Sequence, residues 1–277
     1  MARKIVITSG KGGVGKTTVC ANLGLHLSKL NKRVVLIDVD IGLNNLDVIT
    51  GIENKIVFDI VDVIEKRCRV KQALIQDVFQ QNLYIMPSAH SYNKANITAE
   101  NIKTVVEILD PFFDFVLIDC PAGVDEPFHR AVYGANEAIL VVTPHISSIR
   151  DADKVASLLT SYNLNSVSLI INKARGDLML DKEMISVSEI ASTLSLDVLG
   201  VVPDDDEISV GNSFWHNNLS DKAISKKAFS YIAENLCFGT SKYYDCTKKY
   251  KGILGYFKRG IKKIVKWRNL QMFKKID

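Results

Sequence analysis

Ten residues near the amino terminus, Ser9-Gly10-Lys11-Gly12-Gly13-Val14-Gly15-Lys16-Thr17-Thr18, carry the clearest chemistry in this sequence. Gly10, Gly15, Lys16 and Thr17 fill the pattern G-x-x-x-x-G-K-[ST], a loop that cradles the phosphates of a nucleoside triphosphate. The context is the one the motif needs: a β-branched run, Lys4–Thr8, precedes it and a helix-like stretch, Thr17–Leu30, follows. Glycines let successive backbone N–H groups converge on phosphate oxygens, and the helix start adds partial positive charge. Lys16 is placed to reach the β- and γ-phosphates and Thr17 to ligate Mg²⁺, so ATP and Mg²⁺ are the expected ligands.

Gly10, Gly12 and Gly15 also spell G-x-G-x-x-G, and acidic residues follow about 20 positions on, as in a dinucleotide-binding turn. A pyrophosphate held by backbone alone requires neither the cation nor the hydroxyl that Lys16-Thr17 supplies. A further strand, Phe115–Ile118, also ends in an aspartate, Asp119, as a Mg²⁺ site expects. The triphosphate reading is the stronger. Other strand ends carry polar groups as well: Val34–Ile37 runs into Asp38-Val39-Asp40, Ile170-Ile171 into Asn172-Lys173, and Val201-Val202 into Pro203-Asp204. A single aspartate at a strand end is often a turn residue. Four strand ends sharing a rim with a phosphate loop point to a site.

These residues need a scaffold, and the sequence outlines one. Near-continuous Val/Ile/Leu runs at Lys4–Thr8, Arg33–Ile37, Asn82–Met86, Phe115–Ile118, Ala138–Thr143, Val167–Ile171 and Asp197–Val202 read as strands buried on both faces. Helix-like stretches at Thr17–Leu30, Ala99–Leu109, Ile149–Ser161, Lys182–Leu194 and Asp221–Leu236 alternate with them. The expected fold is a doubly wound α/β domain with a mostly parallel sheet, binding ligands beyond the carboxyl ends of its strands. The expected organisation is a nucleotide-binding domain at 1–237, a linker at 238–247 and a basic tail at 248–277.

Five scattered cysteines without a C-x-x-C pair read as reduced thiols, and five histidines show no metal spacing. No run reaches 18 apolar residues and no signal-peptide block opens the chain, so a cytoplasmic protein is expected. The net charge of +4 is unevenly spread. Residues 247–277 hold 11 Lys and Arg against one acid, a tail of +10 that leaves −6 on the other 246 residues. In that tail Tyr250, Ile253, Leu254, Phe257, Ile261, Ile264 and Val265 fall in a stripe about 120° wide on a helix, with lysines and Arg259 opposite. Such a helix can lie on an anionic membrane, dock on its own domain, or bind nucleic acid through phosphates.

Four segments together resemble the deviant Walker A P-loop ATPases, the MinD/ParA family, over residues 1 to about 237. They are Ser9 to Thr18, Asp38-Val-Asp-Ile-Gly-Leu-Asn-Asn-Leu-Asp47, Asp119-Cys-Pro-Ala-Gly123 and Ser147-Ser-Ile-Arg-Asp-Ala-Asp153. The loop after the second strand and the Ser-Arg-Asp helix start narrow the resemblance to the septum-site-determining branch. The flagellar-number ATPases share the layout, but their loop usually reads Asp-Ala-Asp-Leu-Gly-Leu-Ala-Asn.

The resemblance implies a SIMIBI-type P-loop NTPase that hydrolyses ATP. By matching position, Lys11 crosses a homodimer interface to the partner's phosphates, Asp40 orients the attacking water, and Lys16 and Thr17 keep the roles above. Thr18 bonds the α-phosphate, Asp38 and Asp119 are outer-sphere Mg²⁺ partners, Asn172 reads adenine, and the Pro203 loop covers the base. Gly10, Gly12, Gly13, Val14 and Gly15 supply the cradle. Ser147, Ser148, Arg150, Asp151 and Asp153 match the surface where partners dock, a division inhibitor (MinC-like) and a MinE-like stimulator among them. The family's C-terminal anchors favour the membrane reading of the tail through Ile253, Leu254, Phe257, Ile261, Ile264 and Val265, with the protein peripheral on the inner face of the cell membrane. A segregation ATPase of the ParA kind riding on DNA is the alternative. It requires a basic patch on the body, which here is net acidic, so no direct nucleic-acid contact is expected.

Overall fold

The computed structural model describes residues 1–42, 45–89, 97–208, 223–253, 255–257 and 259–260. Eight strands form one sheet: β1 (Arg3–Thr8), β2 (Val34–Asp38), β3 (Ile75–Gln76), β4 (Leu83–Met86), β5 (Phe115–Asp119), β6 (Glu137–Val142), β7 (Ser166–Ala174) and β8 (Asp197–Pro203). Their order is β3-β4-β2-β5-β1-β6-β7-β8, and every pairing is parallel except β3 with β4. The central strands are apolar on both faces because both faces are covered; β2 and β5 are buried along their whole length.

Helices flank the sheet: α1 (Lys16–Lys29), α2 (Leu46–Thr50), α3 (Ile60–Ile64), α4 (Val70–Ala73), α5 (Ala99–Leu109), α6 (Glu126–Tyr133), α7 (Ile146–Leu159), α8 (Gly176–Leu180), α9 (Val187–Leu194) and α10 (Ile224–Phe238). One apolar core, with Val19, Leu23, Leu27, Phe229 and Ile232, seals α1 and α10 against one face. A second, with Ile102, Val106, Phe128, Ile149 and Val155, seals α5, α6 and α7 against the other. The doubly wound α/β expectation holds.

The differences in detail have local causes. The helix expected over Lys182–Leu194 is shorter, Val187–Leu194, because the backbone turns and bends over residues 182–184 and the helix start is capped by Ser186. Its hydroxyl accepts from the Glu189 N–H, and the Glu189 carboxylate accepts from the Ser186 N–H. Between Asp38 and Leu83 the short helices α2, α3 and α4 and the two-residue edge strand β3 carry too few residues for a period to register. Helix α7 starts at Ile146, three residues before its apolar period becomes visible. In the expected helix Asp221–Leu236, Asp221 and Lys222 lie outside the described residues.

Residues 240–250 pack on the body. The Asn235 side chain donates to the Lys242 carbonyl at 2.6 Å and accepts from the Thr240 hydroxyl at 2.6 Å. Cys246 and Tyr250 are buried. Helical backbone resumes only at Gly252, so Tyr250 points into the body while Ile253 and Phe257 stand out at 80% and 62% exposure. Arg259 Nη1 lies 2.8 Å from Asp181 beyond α8, which ties the start of the tail helix down by its basic side. Leu254, Ile261, Ile264 and Val265 lie outside the described residues. Among the described residues no helix is long and apolar enough to cross a membrane.

Candidate functional site

The phosphate loop joins β1 to α1 at the centre of the sheet, where later strands begin to add on the other side of β1. Its shape depends on glycine at two points. Gly15 caps α1 at φ +95°, and a Cβ there would also stand 2.5 Å from Asn172 Nδ2. Gly10 is crossed by the backbone of α7; a Cβ would lie 2.3 Å from the Asp151 carbonyl. Further hydrogen bonds hold the loop, two of them from the end of β7. Asn172 donates to the Val14 carbonyl at 2.8 Å, Lys173 Nζ to the Gly13 carbonyl at 2.9 Å, and Ser9 Oγ to the Lys11 carbonyl at 2.8 Å.

The two lysines of the loop are placed differently. Lys16, the first residue of α1, is only 9% exposed and faces the carboxylates at the strand ends. Lys11 is exposed at the loop's outer side, and its Nζ has the Ser147 hydroxyl 3.4 Å away. Gly12 and Gly13 are exposed beside it and Val14 is buried beneath, while Thr17 and Thr18 are half-buried.

Asp38 and Asp119 end adjacent strands and are partners in the sheet register. Both are buried. Loss of water raises the Asp38 carboxyl well above its ordinary range, and the neighbouring Asp119 adds to the effect. Its two oxygens accept from the backbone N–H groups of Asp40 (2.9 Å) and Leu46 (3.2 Å). Asp38 thereby ties the end of β2 to the start of α2. Burial pushes Asp119 up to about 7, against the opposing pull of the Thr17 hydroxyl and the Lys16 charge. Asp40 is half-buried; burial raises its carboxyl and Lys16 lowers it.

One buried oxygen at the site, Asp119 Oδ1, has no hydrogen-bond partner among the described residues. Two crowded carboxylates with an orphaned acceptor beside Thr17 suit a divalent cation, which would relieve both the repulsion and the missing bond. Among the described residues no three His, Cys, Asp or Glu gather as a cage, so such a cation would take its remaining ligands from phosphate and water. The adjacent Cys120 thiol is pushed up to about 12 by burial, which rules it out as a nucleophile near neutral pH.

The remaining expected residues divide by position. Asn172 and Pro203 are buried at the ends of β7 and β8, on the same rim as the loop. Ser147, Arg150 and Asp153 are exposed at the start of α7, and Asp151 is half-buried with Lys154 3.5 Å away. Ser148 is turned inward, where its hydroxyl accepts from the Thr143 N–H at 3.1 Å. Two residues escape sequence reasoning. Lys173, at φ +57°, braces the loop, and only its place after Asn172 hints at this. Ile146 stands 77% exposed beside Ser147, invisible while the helix is taken to start at Ile149.

A central parallel sheet, a glycine loop opening a helix, and acidic strand ends beside a buried lysine define a P-loop nucleotide-binding protein. The CobQ/CobB/MinD/ParA nucleotide-binding domain matches residues 5–213. The septum site-determining protein MinD of Bacillus subtilis is 50% identical over 210 residues, 75% of this chain and 78% of that protein. MinD of Synechocystis is 43% identical over 238 residues, 85% and 90% of the two chains. A chain of the MinC:MinD cell division complex of Aquifex aeolicus superposes with a TM-score of 0.80 at 39% identity, covering 87% of this chain and 97% of that one. MinD of Pyrococcus horikoshii, solved with Mg-ADP, gives a TM-score of 0.78 at 30% identity and covers 85% and 96%. The chain belongs to the MinD/ParA nucleotide-binding family, on its septum-site-determining MinD branch.

Proposed function

We propose that this chain is an ATP-dependent, dimerising, membrane-binding ATPase that positions the division septum by recruiting a MinC-like division inhibitor to the membrane. The observation that carries the reading is the split between the two lysines of one phosphate loop. Lys16 is buried where it can serve its own nucleotide, and Lys11 is exposed, with a long contact to Ser147 as its side-chain partner among the described residues.

In this reading the loop amides from Gly10 to Thr18 and the start of α1 bind the phosphates of ATP. Asn172 and Pro203 flank the base. Thr17 would hold Mg²⁺, with Asp38 and Asp119 acting through its water shell, and the cation supplies positive charge to the phosphate oxygens. Lys11 leaves Ser147 for the phosphates of the facing subunit, so that ATP joins two copies and adds a charge in trans to the transferring phosphoryl group. Asp40 accepts a hydrogen bond from a water whose oxygen attacks the γ-phosphorus. The bond to the ADP oxygen breaks, phosphate departs, and Lys11 loses its anchor in the partner.

Dimerisation presents two tails at once. Each exposes Ile253 and Phe257 on a strongly cationic segment, and linking two weak anchors raises avidity by about 10²–10⁴. The exposed start of α7, Ser147, Arg150 and Asp153 together with Ile146, would receive the inhibitor and a MinE-like stimulator. Sedimentation with anionic vesicles tests the reading. The wild type should pellet with ATP and far less with ADP, and Lys16→Ala should lose the difference. Equal pelleting with both nucleotides would rule out the switch.

A further inference from the structure

At the pole opposite the phosphate loop, beside the amino-terminal ends of β2 and β5, lies an open cleft of about 790 Å³. Its walls are apolar, built from Val70 and Leu74 on one side and Leu109 and Phe113 on the other. Ile108 and Phe112 remain exposed at its lip, so the apolar surface continues out of the cleft. Four cations ring the opening: Arg33, Lys66, Arg69 and Lys71.

The charge around the cleft is one-sided. The nearby acids Asp62 and Glu65 are engaged by Arg67, which does not line the cleft. Among the described residues Arg33 pairs with the partly exposed Asp114, at 3.7 Å. Among the described residues no carboxylate lies within ion-pair distance of Lys66, Arg69 or Lys71. The Lys71 ammonium instead sits 5.8 Å over the Phe112 ring, at the boundary between the cationic rim and the apolar wall. This cluster stands on a body whose net charge is −6, so the local excess is not a general property of the surface.

An apolar trough that ends in cations matches a ligand with a hydrocarbon body and an anionic end. The chain's own basic tail is excluded as occupant by like charge. A nucleotide is disfavoured because the cleft wall is mostly apolar, and its one hydroxyl, that of Tyr84, already accepts from Gln76 Nε2 at 3.2 Å. We infer that the cleft binds a single-chain anionic amphiphile, a long-chain carboxylate of the fatty-acid class. Its hydrocarbon lies along Val70, Leu74, Leu109 and Phe113 and its carboxylate meets Lys66, Arg69 and Lys71. The site lies on the far side of the sheet from the nucleotide loop and stands whether or not the proposed ATP switch operates.

Cys68 makes the inference testable in the full-length protein. It lines the cleft and is partly exposed; Cys237, also partly exposed, lies elsewhere, and Cys20, Cys120 and Cys246 are buried. Laurate, kept below its micellar concentration, should bind saturably at one site by calorimetry. It should slow thiol modification of Cys68 at least about tenfold and leave Cys237 unchanged. Dodecyltrimethylammonium, with the same chain and opposite charge, should change Cys68 less than about twofold. Val70→Trp, which fills the trough, and the pair Lys66→Glu with Lys71→Glu, which reverses the rim, should each weaken laurate at least tenfold while thermal unfolding stays cooperative. Equal protection by the cationic amphiphile, absence of saturable laurate binding, or undiminished binding by the charge-reversed protein overturns the proposal. So does protection of Cys68 by an acidic amphipathic peptide where laurate gives none, which would make the cleft a protein-docking site.

Discussion

Replacing Asp119 by asparagine should stabilise the nucleotide-free protein at alkaline pH, although Asp119 is buried at the centre of the proposed site. The carboxyl is raised from 3.8 to about 7 in the folded protein, mainly by loss of water, with the Thr17 hydroxyl and Lys16 opposing and the Asp40 charge adding to it. Keeping it ionised at pH 8 therefore costs about 4 kcal/mol relative to the unfolded chain. Relaxation and water entry around a buried charge reduce this, and about 2 kcal/mol is the expected gain for Asp119→Asn.

The sign follows from proton uptake. Between pH 3.8 and about 7 the folded state holds a proton that the unfolded state has released. The wild type's contribution from this group is thus present at low pH and lost as pH rises through about 7. Thermal melts in EDTA at pH 5.5 and pH 8 read this directly. At pH 8 the variant should melt about 4–8 °C above wild type, and at pH 5.5, where the unfolded chain has released its proton and the folded one has not, by about half as much. Millimolar Mg²⁺ at pH 8 should raise the melting temperature of wild type and leave the variant unmoved. A variant that is less stable at pH 8, or that gains equally at both pH values, refutes the assignment of a repelling carboxylate pair.

Three further outcomes are expected. Lys11→Ala should melt within about 0.5 kcal/mol of wild type, since Lys11 is exposed, yet light scattering should find only monomer with a non-hydrolysable ATP analogue; a persistent dimer would remove Lys11 from the interface. Asp40→Ala should lower phosphate release about 10²–10⁴-fold while ATP-bound dimers persist on vesicles, and near-normal turnover would exclude Asp40 from the hydrolytic step. Gly10→Ala should destabilise by about 1–3 kcal/mol or more, because its methyl would lie 2.3 Å from backbone of α7 that cannot swing aside. An unchanged melting temperature would deny the contact between α7 and the loop.

Much of the site is legible in the residues because it consists of strand ends. A buried parallel strand is a run of Val, Ile and Leu, and the first polar residue after it marks the ligand rim. Asp38, Asp119, Asn172 and the loop before Lys16 can all be read that way. The short capped helices between Asp38 and Leu83 cannot, because a helix of four or five residues shows no period and owes its existence to caps such as the Asp59–Asp62 box. The start of α7 is hidden for a related reason: Ile146 is exposed, so it breaks the apolar pattern that would extend the helix to it.

Neighbouring residues alone dictate seven of the eight strands, the phosphate loop and the cationic tail, since their order sets the local backbone. Which lysine is buried, which serine of Ser147-Ser148 faces outward, and why Gly10 must be glycine were decided by elements distant in the chain. Asp151 lies 141 positions from Gly10 yet presses on it, and Asn172 lies 158 positions from the Val14 carbonyl it holds. Burial raises Asp119 only once β2 and β5 lie side by side, because a carboxylate loses its water and gains a repelling neighbour through packing and not through local sequence.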